Sequence, residues 1–157
     1  MVLVLAGRFC VVADVIVCSD ARWVLDEVAA VLGGPDDHVR EVNAGEEVLP
    51  AVRTRKPDLA VLDLQIGNMG AMATCMDLRL EESGGRLEHI PVIFLLDRRA
   101  DVFLARRAEA EGWVIKPLDP IRLGKAIRTV LGGGRFEDES YRPVTVAGLV
   151  ATGPEHD

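Results

Sequence analysis

Five short apolar runs alternate with segments of helical period along this chain, and that alternation constrains its fold more than any other feature. The runs are Val15-Ile16-Val17, Val39 to Val42, Leu59-Ala60-Val61-Leu62, Val92-Ile93-Phe94-Leu95-Leu96 and Trp113-Val114-Ile115. Most are continuous rather than alternating, which is how strands covered on both faces look, and parallel sheets are covered on both faces by their crossover helices. Between the first two runs, Val24, Val28, Val31 and Leu32 share one helical face, and Gly33-Gly34-Pro35 stops the segment. Val48 and Val52 mark a second helix, Met72, Met76 and Leu80 a third, and Phe103 and Leu104 a fourth. Asp119 caps the last helix, Pro120 suits its first turn, Leu123, Ile127 and Val130 or Leu131 form its apolar face, and Gly132-Gly133-Gly134 ends it. Strand then helix, five times over with right-handed crossovers, predicts a doubly wound α/β domain. Its five-stranded parallel sheet has the order 2-1-3-4-5, with helices on both faces.

The core spans residues 14–131, preceded by an N-terminal extension, 1–13, and followed by a C-terminal linker and tail, 132–157. In that tail Val144-Thr145-Val146 reads either as an added edge strand or as part of a loose end. A length of 157 residues suits one domain. A net charge of −7 argues against a dedicated nucleic-acid binder, because phosphate-backbone affinity comes from clustered Lys and Arg. No run approaches the roughly 20 apolar residues of a membrane span, and the apolar start lacks a basic region ahead of it, so the expected location is the cytoplasm. Cys10, Cys18 and Cys75 lack the paired spacing of a zinc or redox motif and read as buried, reduced thiols.

In open α/β sheets, ligands bind beyond the carboxyl ends of the strands, where the strand order reverses. Asp20 follows the first strand, Asp63 ends the third, and Lys116 ends the fifth just before Pro117. With the order 2-1-3-4-5 both aspartates meet at the switch point and the lysine reaches them from the same edge. Two carboxylates and an ammonium suit a divalent cation and a phosphoryl group, and a carboxylate is also a competent nucleophile for an acyl phosphate. Each residue alone has a plainer reading: Asp20 as the N-cap of the first helix, Asp63 as a carboxylate satisfied by turn amides, Lys116 as a solvated lysine.

Together these residues resemble the response regulator receiver domain. The matching stretches are Val15 to Asp20, Pro57-Asp58-Leu59-Ala60-Val61-Leu62-Asp63-Leu64, Pro91-Val92-Ile93 and Gly112-Trp113-Val114-Ile115-Lys116-Pro117-Leu118. The resemblance implies a flavodoxin-like fold, with Asp63 at the phospho-acceptor position and Lys116 at the position of the lysine that contacts the phosphoryl group. It further implies a metal site of Asp20, Asp63 and the backbone carbonyl of Gln65, and a cis bond between Lys116 and Pro117. The sequence departs from the family at Ser19, where a second acidic metal-site residue is expected, and at Leu96, where a Thr or Ser hydroxyl is expected. Asp97 replaces a small residue, and Leu64 to Gly70 lacks the usual proline and is one residue short. Trp113 fills the aromatic switch position. These departures predict weak Mg²⁺ binding and an uncoupled switch.

The leading expectation is therefore a stand-alone, atypical receiver that acts by protein contacts in two-component signal transduction, not as an enzyme, with phosphorylation at Asp63 weak or absent. Its expected partners are a histidine kinase or another signalling protein, with neither nucleic acid nor membrane, and a homodimer is compatible with the sequence. The alternative is a conventional Mg²⁺-dependent receiver accepting phosphate from a histidine kinase on Asp63. A nucleotide or flavin site is disfavoured because Ser19-Asp20-Ala21-Arg22-Trp23 lacks a Gly-rich or hydroxyl-rich phosphate cradle. Arg98, Arg99, Arg106 and Arg107 read as a solvated face or, by the resemblance, as part of a docking surface on the fourth helix, fifth strand and fifth helix.

Overall fold

A computed structural model describes the backbone of residues 2–5, 8–11, 13–67 and 69–140, and the side chains of those from residue 13 onward. The N-terminal extension carries a hairpin: β1 (Val2–Leu5) and β2 (Arg8–Val11) pair antiparallel as a separate two-stranded sheet. The main sheet comprises β3 (Asp14–Cys18), β4 (His38–Val42), β5 (Leu59–Asp63), β6 (Val92–Leu96), β7 (Gly112–Ile115) and β8 (Phe136–Glu137). Its order is β4-β3-β5-β6-β7-β8, with every neighbouring pair parallel. The helices are α1 (Arg22–Val31), α2 (Val48–Thr54), α3 (Ala71–Ser83), α4 (Val102–Arg107) and α5 (Pro120–Leu131).

The continuous apolar runs are explained by two cores, one on each face of the sheet. Successive strand residues point to opposite faces. Ile16 and Cys18, Ala60 and Leu62, Val92, Phe94 and Leu96, and Trp113 and Ile115 therefore face the layer made by α2, α3 and α4. Val15 and Val17, Leu59 and Val61, Ile93 and Leu95, and Val114 face α1 and α5. All of β5 and β6 is buried, including Asp63, so the polar end of β5 is held by a strand that water does not reach.

Val24 and Val28 of α1, Val48 and Val52 of α2, and the apolar face of α5 are buried as their periodicity predicts. In α5, Leu123, Ile127 and Val130 are buried, Pro120 is at the helix start, and the Asp119 side chain accepts hydrogen bonds from Ile121 N at 2.8 Å and Arg122 N at 3.0 Å. Two helices differ: in α4 Phe103 is exposed while Val102 and Ala105 are buried, and in α3 Met76 and Leu80 are exposed and Ala71, Thr74, Cys75, Leu78 and Glu81 form the buried face. Apolar residues recur at i and i+4 on two sides of that helix, and the smaller set is the one that fits against the sheet.

A sixth strand extends the expected sheet. After α5 the chain turns through Gly132 to Gly134, with Gly133 at φ 88°, and β8 then adds beside β7, Gly112 opposite Phe136 and Trp113 opposite Glu137. A left-handed φ of this kind favours glycine. The Val144–Val146 run lies outside the described residues. Among the described residues, no helix is long and apolar enough to cross a membrane.

Candidate functional site

The parallel order brings the carboxyl ends of β3, β5, β6 and β7 to one edge, and that edge carries the site. Asp63 is the last residue of β5, and its side chain is only 2% exposed. Lys116 follows β7, and its Nζ lies 2.7 Å from Oδ1 of Asp63, the contact expected from the sequence. The same ammonium lies 3.2 Å from Oδ1 of Asp97, so two carboxylates share it. The Lys116–Pro117 bond is cis, in agreement with the resemblance.

Ser19 is fully buried after β3 and donates its hydroxyl to Oδ2 of Asp63 at 2.8 Å. Its oxygen also accepts from Ala21 N at 3.1 Å. This corrects the expectation of Asp20 as a helix cap: Ala21 is the N-cap residue of α1, no side chain caps that helix, and Ser19 serves the neighbouring amide. Asp20 is exposed at the same edge, where a side chain at Gly67 in the loop after β5 would begin 3.8 Å from its Oδ2. Gln65 contributes its backbone N–H to Oδ1 of Asp63 at 3.2 Å.

Both oxygens of Asp63 thus already accept hydrogen bonds. Hard divalent cations take six or more oxygen ligands and gain affinity from ligand charge. Here Asp97 is drawn to Lys116, Ser19 is neutral, and among the described residues no group of three His, Cys, Asp or Glu side chains is arranged to hold a metal. Asp20, Asp63 and the Gln65 backbone carbonyl are the groups that would hold such a cation here, with the neutral Ser19 adding no charge. Burial, with Glu47, Asp63 and Asp20 nearby, pushes the Cys18 thiol up to about 12, so it is no nucleophile at neutral pH. Cys75 is likewise buried and free.

At the switch positions, Leu96 is fully buried at the end of β6 and Trp113 is 1% exposed. The Trp113 ring is packed inward beneath the Arg106 guanidinium, 5.3 Å from the ring centroid, and its buried Nε1 has no partner. Arg98 is paired with Asp101 at 3.0 Å and Arg106 lies 3.9 Å from Glu137, so half of the basic group after β6 is engaged within the chain. Sequence reasoning missed Trp23, half-exposed on α1, whose ring centroid lies 5.6 Å from Lys116 Nζ. Its position in the loop passed over as lacking a phosphate cradle was the available signal.

The response regulator receiver domain model matches residues 15–128. The chain belongs to this family. It is similar to the DNA-binding response regulator MtrA of Mycolicibacterium smegmatis (strain ATCC 700084 / mc(2)155), with 27% identity covering 90% of this chain and 60% of the relative. It also resembles the nitrate/nitrite response regulator protein NarL of Escherichia coli (strain K12), with 31% identity covering 72% of this chain and 51% of the relative. This receiver thus spans about half to three-fifths of the length of the curated relatives it matches. The chemotaxis response regulator CheY4 of Vibrio cholerae superposes with a TM-score of 0.68 at 20% identity, covering 76% of this chain and 99% of that one. A LuxR-family two-component response regulator from Aurantimonas sp. SI85-9A1 gives 0.69 at 23% identity, covering 80% and 89%. The doubly wound receiver fold is shared with both.

Proposed function

We propose that this receiver acts in the cytoplasm through protein contacts in two-component signalling, with phosphorylation at Asp63 weak or absent. The observation that carries this reading is the sharing of Lys116 between Asp63 and Asp97. A lysine that neutralises a phosphoryl dianion is most useful when it is free to follow the incoming charge. A second carboxylate beside it opposes that charge. Leu96 supplies no hydroxyl, and a ligand shifts a two-state equilibrium only through differential interactions with the two states. An inward-packed Trp113 then has nothing to couple it to Asp63.

A histidine kinase or another signalling protein is the proposed partner. The DNA binding in the name of the MtrA relative belongs to that whole protein and is not carried over. The test is incubation with a small-molecule phosphodonor and Mg²⁺ followed by intact-mass measurement. The expected spectrum shows the unmodified chain. A stoichiometric gain of one phosphoryl group, lost in Asp63→Asn, returns the protein to the conventional Mg²⁺-dependent class.

A further inference from the structure

Asp138 is a buried acid that the site around Asp63 does not use. It is 2% exposed, its Oδ2 accepts the Ile115 backbone N–H at 2.8 Å, and its Oδ1 accepts Ser140 N at 2.9 Å. Arg122 Nε lies 3.1 Å from Oδ2, close enough for an ion pair although its N–H is not aimed for a hydrogen bond. Arg122 Nη2 meanwhile donates to Ile115 O at 3.0 Å and Pro117 O at 2.7 Å. One acid and one guanidinium therefore hold both backbone groups of the residue just before Lys116.

From these contacts we propose that the outer edge of β7 is a binding site for an extended acidic segment, filled in cis by the chain's own Phe136–Asp138. Strand addition to a sheet edge usually draws affinity from a run of main-chain hydrogen bonds. Here strand pairing covers only Gly112 and Trp113, with Phe136 N donating to Glu111 O at 3.1 Å, and beyond that a carboxylate replaces the ladder. The edge consequently selects for an acid at the residue after the paired two. Charge agrees with this, since Arg106 faces Glu137 at 3.9 Å and Arg122 faces Asp138. So does shape: a Cβ at Gly112 would lie 2.9 Å from Phe136 O, so the edge admits a backbone at closer range than any side chain allows. The cis segment follows three consecutive glycines, Gly132 to Gly134, whose amides bond to carbonyls of the last turn of α5 and so set where the segment leaves the helix. The occupant in trans is a protein segment of the pattern aromatic, Glu, Asp, entering parallel to β7. The site supplements the proposed protein contacts and holds whether or not Asp63 accepts phosphate.

The test uses the full chain and a fluorescein-labelled peptide reproducing residues 134–140. In wild type the cis segment competes at an effective concentration in the millimolar range. Anisotropy should show the peptide binding Asp138→Ala at least about tenfold more tightly than wild type, a difference of about 1.4 kcal/mol. The same peptide carrying Asp138→Ala should bind neither. Equal binding to both proteins, or by both peptides, overturns the site. Should Asp138→Ala not fold, amide exchange in wild type decides. The Ile115 and Phe136 amides should open together, at least about tenfold more often than that of Lys116, which is bonded to Leu96 O on the other side of the strand. Equal protection at Ile115 and Lys116 means that the segment does not detach, and the proposal falls. Phosphorylation of Asp63 with peptide binding intact would reject the functional reading while leaving this site standing.

Discussion

The Ser19 hydroxyl donates to Oδ2 of Asp63 across 2.8 Å, and both side chains are buried. Serine here is a neutral partner that holds the carboxylate in place. Ser19→Ala leaves that oxygen without its donor and should cost about 1–3 kcal/mol in urea denaturation, because a buried acceptor left unmade forfeits its solvation. Ser19→Asp replaces the donor with a second charge. It should lower the melting temperature in chelator and bind Mg²⁺ more tightly than wild type by titration calorimetry. Equal Mg²⁺ affinity would remove Ser19 from the metal position.

Lys116 is 11% exposed and its partner Asp63 only 2%, so the pair is not a surface ion pair. Removing one member of a buried pair costs more than the pair itself contributes, because the remaining charge is stranded. Lys116→Met should destabilise the fold by about 3 kcal/mol. A loss below about 1 kcal/mol in chemical denaturation would mean that the pair is effectively solvated.

Under the proposed function, supplying a hydroxyl at the end of β6 and removing the second carboxylate should raise acceptance of phosphate. In the double variant Leu96→Thr with Asp97→Ala, Lys116 loses its competing carboxylate and β6 gains a hydroxyl at its end. Intact-mass measurement after phosphodonor treatment should show a phosphorylated fraction that exceeds wild type severalfold. No gain would mean that Asp97 and Leu96 are not what limits the site.

The Asp119 carboxyl is held below its ordinary range by the hydrogen bond from Arg122 N and, to a smaller degree, that from Ile121 N. A carboxylate favoured in the folded state stabilises it at neutral pH, and that contribution disappears as pH falls through the folded value. The melting temperature of Asp119→Ala should therefore lie below that of wild type at pH 7, with the gap closing in strongly acidic buffer. A pH-independent gap would assign the loss to packing.

Trp113 should report an unresponsive interior. In a Trp23→Phe background its emission should be blue-shifted, as befits a ring 1% exposed, and unchanged by phosphodonor with Mg²⁺. A red shift on phosphodonor addition would show that the ring is coupled to Asp63 after all.

The sheet and the Asp63–Lys116 pair could be read from the sequence because each rests on a local signal. Strands covered on both faces leave unbroken apolar runs, and Asp63 with Lys116-Pro117 is the pattern that carries the receiver resemblance. The face of α3 could not be read, since Met72, Met76 and Leu80 compete with Ala71, Cys75 and Leu78 at similar spacing, and packing volume rather than period chose between them. The cap reading of Asp20 failed because α1 starts one residue later, with Ala21 as its N-cap residue, which leaves Asp20 exposed between strand and helix. β8 was invisible for another reason: two paired residues carry no periodic signal, and its anchor is the side chain of Asp138.

Where β8 lies has a further consequence for solubility. An uncovered strand edge next to apolar residues is a template for pairing between molecules. At the opposite margin β4 carries Arg40 and Glu41, charges that discourage such pairing, whereas β7 reads Gly-Trp-Val-Ile and has none. A chain ending at Leu131 would keep every element around Asp63 yet leave that apolar margin bare. The acidic segment after α5 covers that margin at Gly112, Trp113 and the Ile115 amide.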